Sequence, residues 1–264
     1  MRAGLLGAGH IARALAEGWR QLPPAAALRP ALSVYDPIAA RSRSLAADFD
    51  ARACASVAEL SAGCDTIVLA MRPPDVPAAL AELAPVLGGR PLLSLAAAVP
   101  LDDLHAGLSP GARVARVMPN VAAAIGCGVF LLVAGTLTAS QADATRALFG
   151  LAGTVVDVPE SLFDPATAVA GCGPGFTALF IEALAAAGVD AGLEQAMARE
   201  LAIAAVAGSA ALVARDGDPV GVRVAIATPG GMTAEGIEVL ESRGIRMALA
   251  AAVAAAVAQA RRVR

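Results

Sequence analysis

The hydrophobic pattern divides the chain into two parts with different periodicities. Up to residue 159, short apolar runs alternate with amphipathic stretches, and continuous apolar runs of this kind are typical of parallel strands covered on both faces. The predicted strands are 2–6, 31–35, 65–71, 91–96, 112–117, 128–134 and 154–158, with helices at 11–19 and 139–151 among the connections. From residue 160 the pattern is helical, and the segments 174–187, 193–215, 234–243 and 244–264 are apolar nearly all round.

A glycine motif follows the first predicted strand directly. Gly7-Ala8-Gly9-His10-Ile11-Ala12 has the spacing G-x-G-x-x-A and opens the first helix. Gly7 permits the tight turn, Gly9 lets the backbone approach a pyrophosphate, and Ala12 lets helix and strand pack closely. A glycine-rich turn without a ligand would share these residues, but the strand before it and the helix after it favour phosphate binding at the helix N-terminus. The sequence therefore predicts an α/β fold with a Rossmann-type dinucleotide-binding domain at residues 1–159.

Asp36 ends the second predicted strand, where an acidic residue commonly binds the adenosine ribose. Its charge disfavours a 2′-phosphate, whereas Arg41 or Arg43 could pair with one. Asp36 could also cap the next helix, with Pro37 at the first helical position. The two roles are compatible, and the choice between NADH and NADPH stays open.

Composition excludes several classes of protein. A net charge of −3 and 3% aromatic residues give no case for nucleic acid, and four scattered cysteines with two histidines give none for a metal site. The uncharged run 117–142 contains Pro119 and several glycines, so it indicates buried strands and turns rather than a membrane span. No charged-then-apolar leader precedes the glycine motif, which predicts a cytoplasmic protein. All 20 basic residues are arginine, and the absence of lysine excludes Schiff-base chemistry.

The helices of residues 160–264 are apolar nearly all round, and a unit of about a hundred residues cannot bury that much apolar surface by itself. This predicts a homodimer. Two glycine-rich stretches interrupt it, at 170–176 and 227–233. In the second, Thr228 is the expected N-cap with Pro229 at the first helical position. Gly230 and Gly231 would then each cost the helix about 1 kcal/mol relative to alanine. Exposed N–H groups there would receive a small carboxylate, with the Thr233 hydroxyl beside it.

Motifs along the whole chain resemble pyrroline-5-carboxylate reductase, which makes proline from its cyclic imine. They are GAGHIA at Gly7, MRP at Met71, SLAAAV at Ser94, RVMPN at Arg116, GCGPGF at Gly171, FIEALAAAGV at Phe180 and ATPGGMT at Ala227. The resemblance implies NADPH or NADH as cofactor, a cyclic imine carboxylate as substrate, and an all-α dimerisation domain after the dinucleotide domain. It also implies dimers that assemble further.

The resemblance implies a role for each matching residue. The pyrophosphate is expected to contact Gly7, Gly9, His10 and Ile11. The nicotinamide side is expected to be lined by Arg72, Ala96, Ala97 and Asn120, and Met71 is a further expected cofactor contact. The substrate carboxylate is expected to be bound by Thr228, Gly230, Gly231 and Met232. Thr233 is the expected catalytic residue, hydrogen-bonding the ring nitrogen.

Several positions depart from the family pattern. The cofactor half has Arg72 for a lysine, His10 for an asparagine and Ala98 for a glycine. The substrate half has Ala170 and Cys172 for serines, Phe176 for a tyrosine, Val224 for an aspartate, Thr228 for a serine and Met232 for a small residue. These changes leave open a larger or more apolar cyclic imine, or a nucleotide-binding relative without activity. A β-hydroxyacid dehydrogenase is excluded because its catalytic lysine is missing.

Overall fold

The sequence also predicts a polar, proline-bearing loop at 21–30, between the first helix and the second strand. The computed structural model describes residues 1–21 and 29–262, so most of this loop and the last two residues of the helix predicted at 244–264 lie outside the described residues. The chain forms two compact units. The first comprises Met1–Cys172 and the chain end from Ala256, and the second comprises Gly173–Ala255.

The first unit is built on an eight-stranded sheet within the described residues. Its strands are β1 Arg2–Leu6, β2 Ala31–Tyr35, β3 Arg52–Ala53, β4 Thr66–Leu69, β5 Pro91–Ser94, β6 Arg113–Met118, β7 Gly128–Val133 and β8 Gly153–Asp157. Its helices are α1 His10–Arg20, α2 Ala39–Phe49, α3 Val57–Gly63, α4 Val76–Leu83, α5 Leu101–Ala106, α6 Ala139–Gly150 and α7 Phe163–Ala170, with 3₁₀ turns at Pro73–Asp75, Val121–Ile125 and Glu160–Leu162.

The strand order is β3-β2-β1-β4-β5-β6-β7-β8, and every pair is parallel except β6 with β7. The order reverses between β1 and β4, which places the binding crevice of an open α/β sheet at the carboxyl ends of these two strands. All seven predicted strands are present, and the predicted fold class is confirmed. The short edge strand β3 was not predicted, because two residues carry no periodicity.

Hydrophobic side chains on both faces of the sheet form its core. One face is covered by residues of α1, α2 and α6, and the other by residues of α3, α4 and α5. Trp19 is the largest buried side chain, and its indole N–H donates to the Leu148 carbonyl at 3.0 Å. Phe149 lies between Trp19 and Phe130, with ring centroids 6.3 and 5.1 Å away. The core thereby fixes α1, which carries the glycine motif, against the sheet.

The second unit is helical, as predicted. Its helices are α8 Gly173–Asp190, α9 Gln195–Asp216, α10 Pro219–Ile226, α11 Met232–Ser242 and α12 Ile245–Arg262, the last of which runs on into the chain end. Helices α8 and α9 pack against each other. Their outer faces are apolar and exposed in the single chain, with Leu179, Met197 and Leu201 all more than half exposed. In the described part of the chain, Glu160–Asp190 and Gln195–Asp216 are long and apolar enough to cross a membrane by length and composition. Only 6% and 11% of their 18-residue apolar stretches are buried.

Gly18 allows α1 to contact the 3₁₀ turn at Val121–Ile125. A Cβ at this position would overlap the Ala123 carbonyl oxygen and lie 2.9 Å from the Ala152 Cβ. Alanine is the better helix former, but overpacking against backbone costs about 1–3 kcal/mol. We expect Gly18→Ala to lower the free energy of unfolding by that amount, measured by urea denaturation. Gly150→Ala is the matched control, since a Cβ at the end of α6 meets no atom within 4 Å. Equal stability of the two variants would contradict the close contact.

Candidate active site

The glycine motif forms a tight turn where three strands end. Gly7 has φ +108°, and a Cβ there would lie 2.6 Å from the Ala70 carbonyl oxygen that follows β4. The Gly7 N–H donates to the Tyr35 carbonyl at the end of β2 at 2.8 Å. Only glycine combines this φ with this approach, so the turn depends on the residue that the motif predicted.

Gly9 and His10 begin helix α1 on the open side of the turn. Gly9 is the N-cap residue in an extended conformation, and no side chain caps the helix. A Cβ at Gly9 would meet no protein atom within 4 Å. The first N–H groups of α1 therefore face open space, as a phosphate-binding helix N-terminus requires.

Asp36 ties the turn to the end of β2. Its Oδ2 accepts the Ala8 N–H at 2.9 Å and its Oδ1 accepts the Ile38 N–H at 2.8 Å, and the residue is only 7% exposed. Helix α2 begins at Ala39 with Ile38 as its N-cap, so the prediction of Asp36 as a helix cap with Pro37 in the first turn is wrong. The chain bends at Pro37 and Ile38 instead, and the two carboxylate oxygens of Asp36 accept one N–H of the glycine turn and one N–H of this bend.

A cleft of about 920 Å³ opens above these loops, at the carboxyl ends of β1, β2 and β4. Of the predicted cofactor residues, Gly9, His10, Asp36, Met71 and Arg72 line it, and Arg41 does so as well, whereas Arg43 does not. Gly7 is buried within the turn itself, and Ile11 packs against the core. The cleft fits a dinucleotide because the glycine cradle and helix N-terminus that would take the pyrophosphate lie along its wall.

Most charged side chains of the cleft are already paired. Arg13 binds Asp48, and Arg72 donates to Asp75 at 3.1 Å. No hydrogen bond or ion pair engages the Arg41 side chain among the residues that the structure describes. Arg41 is therefore the cleft cation with its charge available to a ligand.

Several lining residues were not predicted from the sequence: Arg13, Ser44, Ala78, Ala79 and Glu82, with Tyr35 at the end of β2. Helical spacing was the signal available, since Arg13 is one turn from His10 and Ser44 one turn from Arg41. Burial, with the carboxylates of Glu82 and Asp36, raises the pKa of Tyr35, so this side chain stays a neutral phenol.

Of the expected nicotinamide-side residues, Arg72 lines this cleft, whereas Ala96, Ala97 and Asn120 follow β5 and β6 and lie outside its lining. Ala96 is buried and its N–H donates to Ser94 Oγ at 3.3 Å, and Ala97 is exposed beside Ala98, which has φ +60°. The Asn120 amide donates to the Ala170 carbonyl at 2.9 Å and accepts the Val129 N–H at 3.2 Å. The Asn120 side chain therefore joins β6, β7 and α7.

Arg116, in the RVMPN motif, is fully buried in β6. Its guanidinium donates to Glu160 at 2.5 Å and lies 3.8 Å from the centroid of the Phe163 ring. Glu160 also accepts the Leu101 N–H at 3.4 Å. This ion pair, between a buried guanidinium and a partly exposed carboxylate, fixes the segment that leads from the sheet into α7.

The ATPGGMT stretch departs from its predicted geometry. Helix α11 begins at Met232 with Gly231 as N-cap, so the prediction of Thr228 as N-cap and Pro229 as first helical residue is wrong. Gly230 has φ +71°, and the Gly231 N–H donates to the Thr228 carbonyl at 2.9 Å, closing a turn before the helix. The two glycines therefore shape the turn and the cap and do not weaken the helix. Thr228, Met232 and Thr233 are exposed in the single chain.

Comparisons with known proteins define the family. Residues 160–263 match the family model described as pyrroline-5-carboxylate reductase dimerisation, and residues 2–98 match one described as NADP oxidoreductase, coenzyme F420-dependent. The pyrroline-5-carboxylate reductase of Synechocystis sp. is 35% identical, over 97% of this chain and 96% of that protein.

Solved structures agree over the full length. A pyrroline-5-carboxylate reductase from Coxiella burnetii matches with a TM-score of 0.91 and 25% identity, covering 99% of this chain and 97% of that one. The Plasmodium falciparum pyrroline carboxylate reductase with NADP bound matches with a TM-score of 0.85 and 27% identity, covering 98% and 97%.

The chain belongs to the pyrroline-5-carboxylate reductase family. The predicted family, oxidoreductase class and reductase function are confirmed, and the first unit is an NADP-binding domain. The dimerisation domain implies a homodimer, and a partner subunit accounts for the apolar surface of α8 and α9.

Replacing Asp36 tests whether its carboxylate connects the glycine turn to the segment after β2. Asp36→Asn keeps the size but leaves one of the two backbone N–H groups without an acceptor, which costs about 1–3 kcal/mol when the group is buried. We expect the free energy of unfolding to fall by that amount, with faster hydrogen exchange at the Ala8 or the Ile38 amide, whichever faces the NH₂ group of the asparagine. Asp48→Asn is the control, because loss of its exposed pair with Arg13 costs about 0–1 kcal/mol. Unchanged exchange at both the Ala8 and the Ile38 amides would show that the carboxylate does not hold the turn.

Proposed function

We propose that this protein is a cytoplasmic enzyme that reduces 1-pyrroline-5-carboxylate to L-proline, with NADPH preferred over NADH. The observation that carries the proposal is the glycine turn at the reversal point of the sheet, in a chain that matches reductases of this family along its whole length. The second unit supports a homodimer, and the exposed Met247 and Leu249 on α12 support further assembly of dimers.

The first unit supplies the cofactor site. Gly7 and Gly9 bring backbone close to the pyrophosphate, and His10 and Ile11 provide the first N–H groups of α1. Met71 and Arg72 extend the wall of the cleft toward the ends of β5 and β6, where Ala96, Ala97 and Asn120 shape the nicotinamide side. When bound, the reduced nicotinamide supplies the hydride that reduces the imine carbon.

The state of Asp36 favours NADPH. Both of its oxygens already accept backbone N–H groups, so the carboxylate serves the protein and is less available to ribose hydroxyls. Arg41 lines the same cleft, and among the described residues its guanidinium has no hydrogen-bond or ion-pair partner. Ser44 adds a hydroxyl one turn further along α2. A cation and a hydroxyl on one helix face are the donors that a 2′-phosphate needs.

The second unit supplies the substrate site. The first N–H groups of α11, from Met232 onward, and the Thr228 hydroxyl are the donors for the carboxylate. The Gly231 N–H is used within its own turn, so Gly230 and Gly231 contribute by shaping the backbone. Thr233 then hydrogen-bonds the ring nitrogen and holds the protonated imine in position.

The chemistry asks for positioning more than for acid–base groups. A protonated imine is already electrophilic, so catalysis depends on holding its carbon at about 3–3.5 Å from the hydride donor and excluding water. No lysine is needed, which agrees with a chain whose basic residues are all arginine.

The direct test is the loss of NADPH absorbance when the purified protein meets pyrroline-5-carboxylate. Turnover with that imine supports the proposal, and NADH run in parallel measures the cofactor preference. Turnover with a six-membered cyclic imine carboxylate alone would reassign the substrate to a larger ring. Cofactor binding without turnover on either imine would identify a non-catalytic relative.

Thr233→Ala tests the substrate role. Loss of one hydrogen bond that positions the substrate raises the free energy of the transition state by about 1–3 kcal/mol, and kcat/KM falls correspondingly. Thr233→Ser keeps the hydroxyl and should retain most of the activity in the same steady-state assay. Full activity in the alanine variant would rule out the assigned role.

Arg41→Ala tests the cofactor preference. We expect the Kd for NADPH to rise about tenfold, equivalent to about 1.4 kcal/mol, while the Kd for NADH stays unchanged. Arg43→Ala is the matched control, because Arg43 lies on the same helix but outside the cleft lining. An equal loss in both variants would indicate general attraction to charge and would remove Arg41 as the 2′-phosphate ligand.

A further inference from the structure

His10 is the first residue of α1, directly after the Gly7–Gly9 turn. It is exposed and lines the 920 Å³ cleft, beside the N–H groups that face open space over Gly9. An imidazole at this position is close to any phosphate that the helix N-terminus receives.

The other ionisable groups that line the cleft are three arginines, three carboxylates and one tyrosine. The cations are Arg13 on α1, Arg41 on α2 and Arg72 after β4, and arginine is protonated throughout the range from pH 5 to 8. The carboxylates are Asp36, Asp75 and Glu82, and carboxyl groups ordinarily ionise below it. Tyr35 remains a phenol because its pKa is raised. Histidine is the residue type that changes charge between pH 5 and 8.

We propose that His10 is a proton-linked ligand of the cofactor pyrophosphate, so that the enzyme takes up a proton at His10 when the dinucleotide binds near neutral pH. The inference rests on the proposed function, because it requires a dinucleotide in this cleft. Protonated imidazole adds a charge-assisted hydrogen bond to a phosphate oxygen, and neutral imidazole does not add a second cation to the site. Cofactor affinity therefore falls as pH rises through the range in which imidazole loses its proton.

The direction of proton exchange on cofactor binding follows from the thermodynamic linkage between binding and protonation. A ligand that prefers the protonated form of a group raises the proton affinity of that group in the complex. Wild-type protein should consequently absorb a fraction of a proton from the buffer on binding. A variant that cannot be protonated at position 10 loses this contribution to the proton uptake, while any contribution from the ligand itself remains.

The experiment is titration calorimetry of the full chain with NADP⁺ between pH 5.5 and 8.5, in buffers of different ionisation enthalpy. NADP⁺ is used because it needs no turnover, and its 2′-phosphate, which itself titrates near pH 6, contributes equally to all proteins compared. We expect the Kd of His10→Asn to exceed the wild-type Kd about tenfold at pH 5.5 and to approach it at pH 8.5. Proton uptake on binding should be smaller in the variant.

Two further variants complete the test. His10→Arg keeps a permanent cation and should bind NADP⁺ with an affinity that depends less on pH than the wild-type affinity. His105→Asn is the matched control, because His105 on α5 is the second of the two histidines and lies outside the cleft lining, so it should behave as wild type. The same pH dependence in wild type and His10→Asn would overturn the inference while leaving the proposed function intact. An absence of NADP⁺ binding to wild type would overturn the proposed function first.

Discussion

The site depends on one close approach of backbone to backbone. At Gly7 the chain leaves β1, donates its N–H to the end of β2, and passes so near the carbonyl after β4 that no side chain fits. The Asp36 carboxylate stabilises the same turn by accepting the N–H of the next residue, Ala8. Because the ends of β1, β2 and β4 meet at this turn, the same contacts determine both the direction of α1 and the position of the cleft wall.

The fold was largely predictable from the sequence, and the reasons are physical. Buried parallel strands such as β4 and β5 are continuous apolar runs, so their periodicity was plain, and the glycine spacing located the phosphate turn. The residues at which helices begin were harder to predict from the sequence. A proline after Asp36 or Thr228 suggested the start of a helix, yet in both cases the chain first makes a turn and the helix begins two or three residues later. Proline restricts φ in turns and in helices alike, so the sequence does not separate the two.

The candidate site was only partly predictable, because the roles of polar side chains depend on their neighbours. Asn120 was expected to line the cofactor pocket, but its amide is hydrogen-bonded to the backbone of β7 and α7. Arg41 and Arg43 were equivalent by sequence, and only the orientation of α2 distinguishes them. Glu82 and Ser44 carry no motif and enter the site through helix geometry alone. Residues identified by a backbone requirement, such as Gly7, were predicted more securely than those identified by a side chain.

The exposed apolar faces of α8 and α9 have a consequence for biogenesis. A newly made chain can complete its sheet unit alone, since that core is closed, but its helical unit has few buried side chains until a second copy arrives. Maturation of the helical unit is thus a bimolecular event, and its rate depends on the concentration of nascent subunits. Cells that make little of the protein would hold a pool of half-matured chains, which chaperones and proteases would compete to receive.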